Sequence, residues 1–165
     1  MSELLQAVYR GDHARTEELL ASDPELDVYE AAALGKVERL RELLDLDATL
    51  ANAWAEDGFQ PLGLASFFGH AEAARLLVER GAEVNSASRN ELKVTPLHSA
   101  AATPDPSARY EIAKLLLEHG ADPNARQQDD FTPLMAADQL GDERLRELLV
   151  GHGATPAEGT RPEPR

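Results

Sequence analysis

The sequence predicts an all-α solenoid of stacked helix–turn–helix units, and two features point to this fold class. The first is an internal repeat with a period of about 33 residues, which is typical of repeat architectures. The second is that apolar residues recur at helical spacing in segments too short to bury an apolar face alone. Such helices become stable when neighbouring units stack, so we expect a linear core in which each unit depends on its neighbours.

The repeat is clearest in the middle and C-terminal parts of the chain. Pro-Leu pairs begin at Pro61, Pro96 and Pro133, which are 35 and 37 residues apart. Each pair is followed by an apolar helical segment that ends in a Gly-Ala pair, at Gly81, Gly120 and Gly153. The residues in excess of the period fall in segments 86–93 and 102–107, where we expect loops.

Each helix of a unit has a recognisable beginning and end. Thr95 and Thr132 precede a proline at the first helical position, where a threonine caps the helix and the missing proline N–H has no cost. A glycine ends this first helix in the left-handed conformation, at Gly35, Gly69 and Gly141. A second helix follows, with an apolar stripe such as Ile112, Leu115 and Leu116.

Weaker copies of the pattern precede the clear ones, at residues 28–44 and 4–20. Both lack the Thr-Pro pair, and the outer units carry polar side chains as terminal caps do. We therefore predict one repeat domain over residues 2–154, with five units at approximately 2–24, 25–51, 52–84, 85–123 and 124–154. Residues 155–165 contain three prolines and no apolar period, which predicts a disordered tail.

The segments Thr95–Ala101, Gly69-His70 and Gly120–Ala125 resemble ankyrin repeats, and the resemblance covers roughly residues 2–154. It implies that the loop after each second helix projects as a β-hairpin finger. It also implies that His70 and His98 make hydrogen bonds between loops and neighbouring units, and that the partner is a protein or peptide. Because one fold serves many unrelated functions, the resemblance names no target.

Charge and composition exclude several partner classes. The 165 residues include 16 Lys and Arg against 30 Asp and Glu, and the net charge of −14 has the wrong sign for nucleic acid or anionic lipid. No apolar stretch approaches the roughly 18 residues of a membrane span, and the N-terminus has no signal-peptide pattern. The absence of cysteine excludes disulfides and thiolate sites. We expect a cytoplasmic protein, monomeric by itself, with no nucleic-acid or membrane partner.

No pattern indicates catalysis. The five histidines lack metal-binding spacing, and the sequence contains no Gly-rich phosphate-binding motif and no nucleophile elbow. Paired acids such as Asp129 and Asp130 would lie on an open surface, which does not raise the pKa of a carboxyl group. We therefore expect no enzyme, no cofactor and no metal site.

The candidate binding residues are those left once the structural positions of the repeat are set aside. In the family, partner contacts concentrate on the finger tips and on the last turn of each first helix. In the third unit these positions hold four of the eight aromatic residues of the chain, and aromatic side chains are the usual anchors of protein interfaces. The predicted partner-binding residues of this unit are Trp54, Glu56, Asp57, Phe59, Phe67 and Phe68. Those of the following units are Arg89, Lys93, Arg126, Gln128 and Phe131.

Several alternatives stay open at this point. Phe67 and Phe68 could instead be buried against a neighbouring unit. Residues 1–57 hold 14 acidic and 5 basic side chains, so this end could mimic nucleic acid and inhibit a protein by occupying its basic site. An enzyme would need a small molecule bound among His98, Asp129 and Phe131. The insertion at residues 102–107 either widens the binding surface or is a neutral loop.

Overall fold

A computed structural model describes residues 1–156, and this part of the chain is helical with no strand. Of the predicted tail, residues 157–165 lie outside the described residues. The α-helices are α1 (Glu3–Arg10), α2 (His13–Leu20), α3 (Val28–Ala33), α4 (Val37–Leu46), α5 (Pro61–Phe67), α6 (Ala71–Glu79), α7 (Pro96–Ala101), α8 (Pro106–Glu118), α9 (Pro133–Leu140) and α10 (Glu143–Gly151). Short 3-10 turns occupy Ala48–Asn52 and Gln128–Asp130.

The helices pair along the chain and stack in two rows. The first helices α1, α3, α5, α7 and α9 contact one another in that order, and the second helices α4, α6, α8 and α10 form the other row. Each row buries leucines in a continuous core, for example Leu62 and Leu97 in the first row and Leu77 and Leu116 in the second. The predicted all-α solenoid of about five helical pairs is confirmed.

Local chemistry sets the helix ends as the sequence predicts. The Thr132 hydroxyl accepts a hydrogen bond from the Met135 N–H at 3.3 Å, and Pro133 is the first residue of α9. Gly35, Gly69 and Gly141 have φ values of 66°, 79° and 64°, the left-handed region that glycine tolerates best. The first helices therefore stop where the glycines begin the turn to the second helices.

A row of asparagines ties the loops together. The side-chain amides of Asn52, Asn85 and Asn124 each donate to the carbonyl of a glycine that ends a second helix, at 2.9 Å in every case. Their side-chain oxygens accept the N–H groups of Glu83, Asp122 and Thr155 at 2.7–2.9 Å. Each asparagine thus fixes the start of the following loop.

The β-hairpin form of the fingers is not confirmed, because the finger loops at residues 53–60, 86–95 and 125–132 contain no strand. Each finger is closed by a backbone hydrogen bond, such as the 2.8 Å bond from the Ala55 N–H to the Phe59 carbonyl. Adjacent fingers are joined by the Arg89 N–H to the Gly58 carbonyl at 2.8 Å, and by the Gln128 N–H to the Leu92 carbonyl at 2.9 Å. These isolated bonds do not extend into the alternating pattern of a sheet ladder.

Candidate functional site

Three aromatic rings from the first and third helical pairs form one cluster, which we call the aromatic cluster: Tyr9, Phe67 and Phe68. The ring of Tyr9 lies edge-on to Phe68, with centroids 5.4 Å apart, and Phe68 lies edge-on to Phe67 at 5.0 Å. Edge-to-face pairs at such distances are favourable. Phe67 is 41% exposed, whereas Tyr9 and Phe68 are half-buried.

The cluster spans the second helical pair. Helix α3 lies between α1 and α5 and ends in Ala31–Ala33, which are fully buried. The ring of Tyr9 thus contacts Phe68 although α3 lies between their helices in the row. The alternative for Phe67 and Phe68 was burial against a neighbouring unit. It holds in part for Phe68, which is half-buried, and least for Phe67, which is exposed.

Asp57 is held in place by the same tyrosine. Its Oδ2 accepts the Tyr9 hydroxyl at 2.7 Å, and its Oδ1 accepts the backbone N–H of Phe59 at 3.2 Å. Burial raises the pKa of Tyr9, and the hydrogen bond and negative charge of Asp57 raise it further. The hydroxyl therefore keeps its proton at neutral pH and remains a donor to the carboxylate.

A hollow of about 300 Å³ opens beside Asp57. We call it the Asp57 hollow. Its lining is mainly apolar and includes the rings of Tyr9 and Phe59, together with the polar side chains of Asp57, Arg10, Gln6 and Asn90. Asn90, from the next finger, donates to the Asp57 carbonyl at 3.0 Å. The hollow thus joins the end of α1 to two successive fingers.

Trp54 and Arg89 also lie together, but they contact each other. The guanidinium carbon of Arg89 is 4.1 Å from the centroid of the Trp54 ring, a cation–π distance. One face of the tryptophan is therefore covered by the chain itself. Glu56 is exposed and forms an ion pair with the amino group of Met1.

The remaining predicted residues lie apart from the aromatic cluster, in the last two fingers. Lys93 is exposed, with a positive φ of 53°. Arg126 pairs with Asp130 at 3.4 Å, and Gln128 is exposed. Phe131 is half-buried and lines a separate hollow of about 240 Å³ with Leu134 and Met135.

The two motif histidines make the structural hydrogen bonds that the resemblance implies. His70 Nε2 lies 2.9 Å from the Ala33 carbonyl. In His98, Nδ1 lies 2.8 Å from the Thr95 hydroxyl and Nε2 lies 3.0 Å from the Phe131 carbonyl. Burial lowers the pKa of both histidines. Because both ring nitrogens of His98 have partners, the histidine of the alternative enzyme site has no nitrogen left for a substrate.

Within residues 1–156, no group of three or more His, Asp or Glu side chains is arranged to hold a metal ion. No helix in the same part of the chain is both long and apolar enough to span a membrane.

The insertion at residues 102–107 is fastened at Thr103, through both its hydroxyl and its carbonyl. The Thr103 hydroxyl donates to the Ser66 carbonyl at 2.6 Å, at the end of α5. Arg109 donates to the Thr103 carbonyl at 2.9 Å and pairs with Asp142 at 2.6 Å, where the side chains are 7% and 13% exposed. Burial alone would raise the pKa of Asp142, but hydrogen bonds from Leu145 and Arg109 outweigh it and lower that pKa.

Comparison with known proteins gives a consistent result. A family model described as ankyrin repeats, in three copies, matches residues 28–127. Ankyrin repeat and SOCS box protein 16 of Homo sapiens is 36% identical over 77% of this chain and 36% of its own length. Ankyrin repeat, SAM and basic leucine zipper domain-containing protein 1 of Ornithorhynchus anatinus is 32% identical over 82% of this chain and 28% of its own length. E3 ubiquitin-protein ligase Ufd4 of Drosophila melanogaster is 37% identical over 68% of this chain and 4% of its own length. The chain thus corresponds to a minor part of each of these relatives.

Proposed function

The chain belongs to the ankyrin repeat family, whose repeats are generally non-catalytic protein–protein interaction modules, and we propose that it binds a protein or peptide partner on the surface formed by its fingers and first helices. One observation carries this choice of surface. The exposed ring of Phe67 continues into Phe68 and Tyr9 and lies in the same unit as Asp57 and Phe59, so five contact-forming side chains converge on one region. Central aromatic anchors surrounded by polar groups are typical of binding hot spots.

The other predicted residues form the outer part of the proposed surface. Trp54 and Arg89 adjoin the region as a stacked pair, and Glu56 lies in the same finger. We expect smaller effects from Lys93, Arg126, Gln128 and Phe131, because residues outside the centre of an interface usually contribute little. We also propose, from the sequence, that the module acts in the cytoplasm and is monomeric. Sedimentation equilibrium tests the second point.

The test compares two single variants in which an exposed apolar side chain is removed. Phe67→Ala removes the ring proposed to contact the partner, and Leu46→Ala, at the end of α4, removes a side chain that is 83% exposed and outside the surface. Partners captured from the source organism by the wild-type chain would be purified and titrated by calorimetry. We expect Phe67→Ala to weaken binding about tenfold, or roughly 1.4 kcal/mol, and Leu46→Ala to leave it unchanged. Equal affinities for the wild type and Phe67→Ala would refute the surface.

The alternative function, an acidic inhibitor that mimics nucleic acid, has weaker support. A phosphate mimic needs a row of carboxylates free to meet basic groups on the target. Several carboxylates of residues 1–57 are instead paired by Arg15, Arg39 and Arg80 of the same chain. Partner affinity that falls steeply between 50 and 300 mM salt would favour this alternative, because screening weakens charge-driven association.

A further inference from the structure

We propose that the Asp57 hollow binds an arginine side chain of the partner. This rests on the proposed function and names the chemistry that the interface recognises. The hollow has two features that a guanidinium needs: a fixed carboxylate and aromatic rings beside it.

The carboxylate of Asp57 is fixed and still has free acceptor positions. The Tyr9 hydroxyl bonds one oxygen and the Phe59 N–H bonds the other. A carboxylate has about four lone-pair positions, so each oxygen keeps one for an incoming donor. A guanidinium presents two parallel N–H groups that match the two oxygens of a carboxylate. Because Asp57 is already oriented, little conformational entropy is lost when the pair forms.

The aromatic lining favours arginine over lysine. Tyr9 and Phe59 both line the hollow, whose surface is mainly apolar. A guanidinium is planar, stacks on aromatic rings and is more weakly hydrated than an ammonium group. The chain makes such contacts elsewhere with its own arginines: Arg89 lies 4.1 Å from the Trp54 ring and Arg144 lies 3.8 Å from the Tyr110 ring.

The charged groups around the hollow offer a way to distinguish its possible occupants. Glu56, the residue before Asp57, is paired with the amino group of Met1, and Met1 itself lines the hollow. Arg10 is the one basic side chain in the lining of the hollow, and it opposes a second cation. Removing the charge of Arg10 should therefore strengthen the binding of arginine and weaken the binding of an anion, which distinguishes the two kinds of occupant.

The experiment titrates the ¹⁵N-labelled full chain with three small probes and follows the assigned backbone amides by NMR. The probes are N-acetyl-arginine amide, N-acetyl-lysine amide and N-acetyl-citrulline amide, the last being the uncharged isostere of the first. We expect saturable shifts of Asp57, Phe59 and Asn90 in the millimolar range with the arginine probe. The lysine probe should bind at least threefold more weakly, and the citrulline probe should cause no saturable shift.

Three variants of the chain test whether Asp57 is the group that binds the arginine probe. Asp57→Asn should weaken the arginine probe about fivefold, and Arg10→Gln should strengthen it about twofold. Glu91→Gln removes a carboxylate from the next finger, outside the lining of the hollow, and should change nothing. Thermal unfolding of each variant checks the fold, and Arg10→Gln leaves the Tyr9–Asp57 bond intact, so it remains informative if Asp57→Asn destabilises the chain.

Equal binding of arginine and citrulline, stronger binding of lysine than arginine, or an unchanged affinity of the arginine probe for Asp57→Asn would each overturn the arginine site. Failure of this proposal is separate from failure of the proposed function. If Phe67→Ala loses the partner while the arginine probe leaves Asp57 unshifted, only the arginine site is wrong. If the probe binds at Asp57 while Phe67→Ala keeps full affinity for the partner, the proposed surface is wrong.

Discussion

Replacement of Arg109 by alanine is expected to destabilise the last two helical pairs. Arg109 on α8 and Asp142 at the start of α10 form an ion pair 2.6 Å long, with side chains only 7% and 13% exposed. The same guanidinium donates to the carbonyls of Thr103 and Pro104. The substitution therefore leaves a largely buried carboxylate without its cation and removes two further hydrogen bonds.

The magnitude follows from these contacts. Removal of one partner of a buried ion pair costs about 3–5 kcal/mol. The lower end applies here because Asp142 keeps a 3.0 Å hydrogen bond from the Leu145 N–H. Thr103 is buried, so the loss of the hydrogen bond to its carbonyl costs about 1 kcal/mol of stability. Pro104 is exposed, so its carbonyl can bond to water instead. We expect a loss of about 3–4 kcal/mol in the free energy of unfolding at pH 7.

Urea unfolding followed by far-UV circular dichroism measures this loss, with Arg75→Ala as the matched control. Arg75 and Glu111 are 4.0 Å apart with side chains more than half exposed, so that variant should match the wild type. The folded-state pKa of Asp142 is lowered, so its stabilisation is complete above pH 4 and is lost as the pH falls through the lowered pKa. The difference between the wild type and Arg109→Ala should therefore shrink below pH 4. A loss under 1 kcal/mol at pH 7 would refute the reasoning.

Three further predictions concern the loops. Burial lowers the pKa of His98, so the neutral imidazole stabilises the fold fully above about pH 6.5, and this stabilisation is lost on acidification. Between about pH 7 and pH 5 the melting temperature should therefore fall less in His98→Gln than in the wild type. Asn85→Ala removes the bonds to Gly120 and Asp122 and should lower the free energy of unfolding in urea by about 1–3 kcal/mol, whereas an unchanged value would contradict a stabilising asparagine row. Gly58→Ala places a Cβ 2.9 Å from the Arg89 backbone at a φ of 84° and should lower the melting temperature more than Gly81→Ala, which has a similar φ and open space around it.

The sequence predicts those features of the fold that depend on neighbouring residues. The cap at Thr132 and the left-handed glycines follow from the conformational preferences of a few consecutive residues, and both are present. The asparagine row was not predicted, although a signal exists. Asn52, Asn85 and Asn124 recur in successive copies of the repeat, which is what a side chain that repeats one hydrogen bond requires.

The composition of the candidate site could be predicted only in part, because contacts between distant residues decide it. The aromatic side chains of the third unit stand out in the sequence. Tyr9, by contrast, meets Phe68 and Asp57 only through the stacking of the units, and 48 residues separate it from Asp57. Trp54 stands out equally, yet Arg89 of the next finger covers one of its faces. Residue type therefore predicts which side chains could act as anchors, while stacking of the units determines which remain accessible.

The insertion at residues 102–107 connects the stability of the last two units to the proposed binding surface. Thr103 donates to the Ser66 carbonyl, immediately before Phe67, and Arg109 holds Thr103 from the other side. Because the units of a solenoid are stabilised by neighbour interfaces, loss of Arg109 should loosen the insertion while α1, α3 and α5 remain stacked. The aromatic cluster would then persist beside a loop that keeps its Thr103–Ser66 bond but has lost the support of Arg109. Partner affinity should be measured for Arg109→Ala under conditions where the chain is folded. If the loop widens the binding surface, the affinity falls; if the loop is neutral, the affinity stays constant. The same variant therefore tests both the stabilising role and the binding role of the insertion.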